Sequence, residues 1–464
     1  MKLTSTMICA PLTAQSVEQM VSDMRKAKAQ GADLVEIRLD CIENFLPHKD
    51  LEIILRNKPL PVLIVFRPKR DGGLYESDEH TRFETLNLAK ELGADYVDFE
   101  LKLASVLPGE QKMNHHCGSK IIVSYHVNGE NLPKEDLGNI VARIQATGPD
   151  IIRLVIDAAD ITEIARVFHL LSCSQVPLIA YCVGERGLIS QILSPKFGGF
   201  IVYGSMDGNS LPGLPTLDSL RKAYKVDCIN GDTIVFGLIS KPVSHSKGPI
   251  LHNPALRHVK FNGIYVPMFV DDLKKFFNVY SSQDFAGFSV GIPYKEAVVD
   301  FCDEVHPLAQ SIGAVNTIIR RPSDGKLIGY NTDCEASITA IEDALIDRAK
   351  CLACALKGEA RPFEELVNFQ PEKGAILANA TPLGMHPNTD RIPVSEATLG
   401  DYQIVFDSVY TPRKTRLLKE AEAAGAITVS GVEMFLRQAI GQFNLFTGGQ
   451  APEEFMRQIV FDKF

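Results

Sequence analysis

Eight short apolar runs, at residues 7–12, 34–40, 62–67, 96–101, 121–126, 151–157, 177–183 and 200–205, alternate with longer stretches of helical spacing such as 16–30, 83–92 and 161–171. Runs of this length and composition read as strands buried on both faces, and strands that alternate with helices pair in parallel. Eight such units close into a (β/α)8 barrel; an open doubly wound sheet is the competitor, and the count favours the barrel.

A barrel keeps its chemistry at the carboxyl ends of its strands. Polar residues interrupt the apolar runs there: Glu36, Arg38 and Asp40 in the second, Arg67 ending the third, His126 ending the fifth and Arg153 inside the sixth. Burying an unpaired ion is costly, so charges at such positions have partners. Two readings follow. One is a structural ion-pair network; the other is a pocket for an anionic substrate, with arginines, a carboxylate and a titratable histidine.

With 464 residues, the chain has length for two or three domains. Its 45% hydrophobic and 23% charged residues exclude a disordered or fibrous chain, and no apolar run reaches the length of a membrane span. A net charge of -9 argues against nucleic-acid or anionic-membrane partners. The ten cysteines are scattered; Cys351 and Cys354 lack a second pair, and His115, His116 and Cys117 lack further ligands at metal spacing, so no metal is expected. The first residues enter a strand pattern with no signal or transit stretch, which by itself suggests the cytoplasm.

After about residue 224 a second block begins, with strand-like runs at 233–239, 264–270, 285–292, 314–320 and 327–331 and a helical pattern at 335–345. Another helical stretch, 346–356, follows almost directly, and strand patterns resume at 374–380, 404–410 and 428–429. No two glycines stand two positions apart anywhere, so the G-x-G-x-x-G phosphate cradle is missing.

The motifs carry a resemblance. APLTAQSVEQM, ADLVEIRLD, FRPKRDGG, VARIQATG and GERGLIS in the first block are similar to the type I dehydratase half of the plant bifunctional 3-dehydroquinate dehydratase/shikimate dehydrogenase family. GLISKPVSHSKGP, GIPYKEA, IGAVNT, GYNTD, ANATPLGM, DSVYTPRKTRLL and GVEMFLRQA are similar to its shikimate dehydrogenase half. The resemblance covers nearly the whole chain in order. It implies an α/β architecture: a dehydratase-like TIM barrel over 1–224, a substrate-binding lobe over 225–334, and a truncated Rossmann-like NAD(P)-binding lobe with C-terminal helices over 335–464. It also implies a monomer, a small hydroxy acid such as quinate, shikimate or 3-dehydroquinate as ligand, NADP or NAD as cofactor, and a plastid stroma location.

In the dehydratase family a lysine on the sixth strand forms a Schiff base with the substrate ketone and a histidine on the fifth moves the proton. His126 matches the histidine, but Arg153 stands at the lysine. A guanidinium stays protonated and has no amine lone pair for a carbonyl. Gln191 and Leu214 also replace the family's arginine and glutamine, while Glu36, Arg38 and Arg67 are kept. The resemblance thus implies a barrel pocket that has lost dehydration.

In the dehydrogenase half, Lys295 and Asp333 match the catalytic pair: either the lysine relays the hydroxyl proton, or the pair orients the substrate with solvent as acceptor. Ser246, Asn316, Tyr410 and Gln438 match substrate-holding residues, and Thr381, Val409, Gly431 and Met434 match cofactor-binding ones. Shikimate enzymes carry serine and threonine where this chain has Gly248 and Gly291. Both changes remove a hydroxyl and make room, as expected if the ligand is quinate, which bears an added ring hydroxyl. This pattern resembles plant quinate dehydrogenases; the alternative is that two turns simply favour glycine. Between the helix after Asp333 and residue 347, a stretch on the order of one βαβ unit is absent, and with it the helix N-terminus that receives the pyrophosphate. Three readings stay open: a quinate-type dehydrogenase, a bifunctional dehydratase/shikimate dehydrogenase, and a silent paralogue with a broken cofactor lobe or an incomplete gene model.

Overall fold

A computed structural model describes residues 6–76, 78–106, 118–127, 136–206, 213–243, 246–344, 369, 371–372 and 374–463. His115–Cys117, Cys351, Cys354 and the helix expected over 346–356 lie outside the described residues. The chain forms two compact units, one of Met1–Pro249 with Asn262–Phe285, the other of Ile250–Phe261 with Ala286–Phe464.

The first unit holds the barrel. Its strands are β1 (Met7–Leu12), β2 (Leu34–Arg38), β3 (Val62–Val65), β4 (Tyr96–Glu100), β5 (Lys120–Val127), β6 (Ile151–Asp157), β7 (Leu178–Val183) and β8 (Ile201–Tyr203). From β1 to β7 each strand pairs in parallel with the next, and β8 pairs in parallel with β1, leaving the seam between β7 and β8. At the seam, the amide of Phe200 donates to the carbonyl oxygen of Leu178 (3.0 Å). The interior packs Cys9, Leu34, Leu63, Val65, Ile122 and Ile151 together, the filled centre of a barrel.

A repeat in the sequence closes the opposite, amino-terminal end. Gly-Ala-Asp, Gly-Ala-Asp and Gly-Pro-Asp precede β2, β4 and β6. Gly31, Gly93 and Gly148 take positive φ values of 92°, 89° and 80°, reached at little cost only by glycine. The turn aims Asp33, Asp95 and Asp150 at the preceding strand, where their carboxylates accept from the amides of Ile8 (2.8 Å), Val62 (2.9 Å) and Ile121 (2.8 Å). Strand-start amides with no ladder partner are thereby satisfied.

Two further strands, β9 (Ile234–Ser240) and β10 (Gly263–Phe269), pair in parallel within this same unit, so the unit extends into the lobe expected over 225–334.

The second unit contains β11 (Phe285–Val290), β12 (Glu304–Val305), β13 (Thr317–Arg320) and β14 (Leu327–Tyr330), in which β13 is antiparallel to β11 and β14 and β12 runs parallel to β14. A parallel sheet follows, β15 (Ala375–Asn379), β16 (Tyr402–Asp407) and β17 (Ile427–Ser430), in that order. Successive side chains of β16 point to opposite faces: Val405 packs with Leu399, Leu417 and Leu418, whereas Ile404 and Phe406 pack with Val429 and Ala340. The second cluster seats the helix Thr332–Ala344 on the sheet. Among the described residues no helix is long and apolar enough to cross a membrane.

Candidate active sites

In the barrel, Arg153 of β6 is 2% exposed and fully engaged on one edge. Its Nη1 donates to Glu36 Oε2 of β2 (2.7 Å) and to Asp98 Oδ2 of β4 (3.0 Å), its Nη2 donates to the Tyr181 hydroxyl (3.1 Å), and the guanidinium lies 4.8 Å from the centre of the Tyr203 ring. Burial alone would push Glu36 up, but Arg153, Arg67 and Arg38 outweigh it and hold that carboxyl below its ordinary range. Asp98 moves the other way, raised by burial that Arg153 only partly offsets. Arg38 is spent on Asp40, which it grips through Nε (2.9 Å) and Nη2 (2.6 Å).

His126 and Arg67 are different. Both ring nitrogens of His126 and the Nε and Nη2 atoms of Arg67 are buried and have no hydrogen-bond partner among the described residues. Burial, then the charges of Arg67, Arg153 and Arg38, hold His126 well below the usual histidine range and thus neutral at pH 7. Gln191, at the family's arginine position, is 2% exposed and its side-chain oxygen accepts from the Tyr203 amide (2.9 Å), so it braces β8. Leu214 packs against the barrel core. Of the two sequence readings, the ion-pair network accounts for Glu36, Arg38 and Arg153, and leaves Arg67 and His126 unexplained. Asp98 was missed; Asp98 and Glu100 stand two apart in β4, a spacing that puts both on one face. Glu100 pairs with Arg82, itself fully buried.

In the second unit Lys295 Nζ lies 2.6 Å from Asp333 Oδ2. The chain prepares this contact from both sides. The Lys295 carbonyl accepts from the Val315 amide (2.7 Å), fixing the loop after β11. Asn331 caps the helix Thr332–Ala344, its Oδ1 accepting from the Cys334 amide (3.1 Å), which places Asp333 in the first turn where a negative charge is favoured. Asn316 holds the same corner: its Nδ2 donates to Thr332 Oγ1 (2.9 Å) and its Oδ1 accepts from the Thr332 amide (2.9 Å) and Thr317 hydroxyl (2.8 Å). Most of its bonding capacity is therefore committed to seating Asp333, not free for a ligand as expected from the resemblance.

Tyr410 reaches the same neighbourhood, because burial and then the charge of Asp333 push its hydroxyl up. Its ring packs at a tilt of 38° against Phe435, centroids 5.1 Å apart, and the Phe435 carbonyl accepts from Gln438 Nε2 (3.0 Å). Thr381 follows β15, Val409 follows β16 and Gly431 follows β17, all at the carboxyl ends of parallel strands where ligands of open α/β sheets sit. A Cβ on Gly431 would lie 2.5 Å from the Ser408 oxygen, so only glycine lets the helix Gly431–Thr447 start this close to the β16 loop. Met434 packs into the apolar cluster around Phe406, and Val409 is buried with its amide donating to Asp407 Oδ1 (3.0 Å).

Ser246 and Gly248 belong to the first unit, where the Gly248 amide donates to Ser246 Oγ (3.2 Å). The space beside Gly248 is not vacant, which corrects the expectation of open room there. A Cβ on it would fall 2.6 Å from Cε1 and 3.1 Å from the hydroxyl of Tyr265, so a phenol fills the volume that a serine side chain would take. Tyr265 comes from β10 and was missed, because nothing in the sequence places it beside residue 248. Gly291 lies in the turn after β11, its carbonyl accepting from the Tyr294 amide (3.0 Å).

Comparison with known proteins accounts for this combination. The type I 3-dehydroquinase family model matches residues 8–230, the shikimate dehydrogenase substrate-binding domain 238–318, and the shikimate 5'-dehydrogenase C-terminal domain 431–461. The chain is 48% identical to the chloroplastic bifunctional 3-dehydroquinate dehydratase/shikimate dehydrogenase of Arabidopsis thaliana, over 98% of this chain and 84% of that protein. The chain belongs to the bifunctional 3-dehydroquinate dehydratase/shikimate dehydrogenase family. That alignment spans 508 positions against a chain of 464, so at least 44 positions have no counterpart here. The NADP-dependent shikimate dehydrogenase of Methanothermobacter thermautotrophicus is 34% identical over 49% of this chain and 96% of its own. A solved quinate dehydrogenase of Corynebacterium glutamicum in complex with NAD is 26% identical over 50% of this chain and 99% of its own, with a TM-score of 0.43. The Methanothermobacter relative of the second half of the chain is thus an NADP-dependent enzyme by its name.

The cofactor is met only in part. Thr381 and Gly431 stand at strand ends that suit a nicotinamide, but no G-x-G turn exists to hold the pyrophosphate.

One titration follows from the packing under this site. His252 is 2% exposed, and burial pushes it down to about 4 against an opposing hydrogen bond from Gln442, which also binds Ser289 (2.9 Å) and the Asn316 carbonyl (3.3 Å). Unfolded histidine titrates near 6.5, so between pH 6.5 and 4 the unfolded chain binds a proton that the folded chain does not. Stability is then full above pH 6.5 and falls as pH drops toward 4, by roughly 3 kcal/mol for this group. Urea midpoints at pH 7.5 and 4.5 should differ less in His252→Gln than in the native chain; an equal difference would remove His252 from the account.

Proposed function

We propose that this chain is a quinate-type member of its family. It holds a ring hydroxy acid at Lys295 and Asp333, with a barrel that no longer dehydrates 3-dehydroquinate. The observation that carries the first part is the Lys295–Asp333 ion pair, 2.6 Å, seated by Asn316 and Asn331. Lys295, beside Asp333, lies where its neutral amine can accept the proton of a substrate hydroxyl and, as the ammonium, return it. Tyr410, with its hydroxyl kept protonated, donates to the ligand. In this reading Gly291, in the turn after β11 of the same unit, gives the room that quinate's added hydroxyl needs.

The barrel is silent because Arg153, at the Schiff-base position, is locked between Glu36 and Asp98. A quinate enzyme has no need of dehydration, since that reaction would consume its own product. The bifunctional alternative is favoured by the name of the Arabidopsis relative and opposed by Arg153, Gly248 and Gly291. A plastid location is proposed on the same relative.

Calorimetry of quinate and of shikimate against the purified chain tests the assignment. Quinate should bind about tenfold more tightly, and the Gly248→Ser/Gly291→Thr double variant should bring the two together or reverse them. Tighter binding of shikimate by the native chain would sink the quinate reading and leave the bifunctional one.

A further inference from the structure

A barrel without its lysine is still built into the dehydrogenase half. Strands β9 and β10 and the helix Leu273–Val279 belong to the barrel's own compact unit, and three buried or half-buried polar contacts fasten them. The Tyr280 hydroxyl, buried with its ring, donates to the Ile161 carbonyl (2.6 Å). Lys196, 7% exposed, donates to the Gly231 carbonyl (2.6 Å) and pairs with Asp284 (2.9 Å).

The third contact reaches the ligand loop. Arg186 lies in the GERGL turn that leaves β7 on the barrel's chemical face. Its Nε and Nη2 donate to Asp271 Oδ2 (2.6 Å) and Oδ1 (3.0 Å), just past the end of β10. Asp271 Oδ1 also accepts from Lys241 Nζ (2.8 Å), the first residue after β9. Both cations lie over one ring, Arg186 at 4.7 Å and Lys241 at 5.6 Å from the centre of Phe269. Gly187 makes the turn possible, since a Cβ there would strike the Cys182 carbonyl oxygen at 2.2 Å. Lys241 opens the segment that carries Ser246 and Gly248.

We propose that Arg186 is a positioning residue: through Asp271 and Lys241 the barrel holds the start of the segment that carries Ser246 and Gly248, two residues that the quinate-type reading gives to the ligand. Two donors of one arginine on one carboxylate fix direction as well as distance, which a single lysine contact does not. The pair is partly exposed, so its hold is modest and weakens with salt. The GERGL turn, conspicuous in the sequence for its resemblance to a dehydratase, thereby has a use that does not depend on dehydration.

The ligand part of this inference rests on the quinate-type reading; the loop part does not, and the test separates them. Hydrogen exchange is measured over 241–248 in the native chain, Arg186→Ala and Arg186→Lys, with quinate binding by calorimetry beside it. Arg186→Ala should speed exchange of the Ser246 and Gly248 amides several-fold and weaken quinate several-fold, with the thermal midpoint of the barrel little changed; Arg186→Lys should recover part of both. Unchanged exchange at those amides in Arg186→Ala overturns the proposal, as does weakened quinate binding that tracks only a general loss of stability. Faster exchange in a chain whose native form binds neither quinate nor shikimate upholds the loop contact and overturns the functional reading instead.

Discussion

Incubated with 3-dehydroquinate and borohydride, the purified chain should gain no mass, and it should release no dehydroshikimate. A Schiff base needs an unprotonated amine at the strand position that Arg153 occupies, and a guanidinium supplies none at any pH near neutrality. A trapped adduct, or measurable turnover, would show that another amine has taken the role. The same residue carries the largest expected effect on stability. Arg153→Met removes the cation that, among the described residues, pairs with both Glu36 and Asp98, and leaving buried carboxylates without their partner costs on the order of 3–5 kcal/mol. The Glu36→Gln/Asp98→Asn/Arg153→Met triple variant, which neutralises both carboxylates together with their arginine, should regain part of that loss, short of all of it because buried Arg67 then loses the charges of Glu36 and Asp98. If Arg153→Met is no less stable than the native chain in urea, the ion pairs are not what holds the barrel interior.

The second large effect concerns the dinucleotide. A pyrophosphate in a complete lobe receives backbone N–H groups at a helix N-terminus, and each charge-assisted bond is worth roughly 1.5–3 kcal/mol. Losing two of them weakens binding about a thousandfold, from a micromolar to a millimolar constant. Calorimetric titration with NADP and with NAD should therefore show no binding tighter than about 1 mM. Micromolar binding of either would mean that the chain holds the pyrophosphate by other means, and that the missing cradle has been replaced.

Much of this was legible from residues alone. The eight apolar runs fixed a parallel barrel because a short continuous apolar segment is stable only when buried on both faces, and alternation with helices leaves few ways to arrange eight of them. Arg153 raised the expectation of a lost dehydration from sequence alone, since the chemistry of a guanidinium does not depend on where it sits. Lys295 and Asp333, thirty-eight positions apart, were matched as a pair by resemblance, and the structure brings them to 2.6 Å.

Other features were decided only in three dimensions. Whether Glu36, Arg38 and Arg153 serve a ligand or one another depends on distance, and the distances give Arg153 to Glu36 and Asp98 and Arg38 to Asp40, leaving Arg67 Nε and Nη2 and both His126 nitrogens without a partner among the described residues. Asn316 read as a ligand contact, and the fold gives its Oδ1 and one Nδ2 hydrogen to Thr332 and Thr317. Gly248 read as open room, yet β10 lays the Tyr265 ring across it. Composition and order along the chain determined which chemistries are possible and which lysine is missing, because those follow from functional groups. Which polar groups are already satisfied, which gaps are filled and which barrel turn grips the ligand loop depend on contacts between residues far apart in sequence, and only the folded chain sets those.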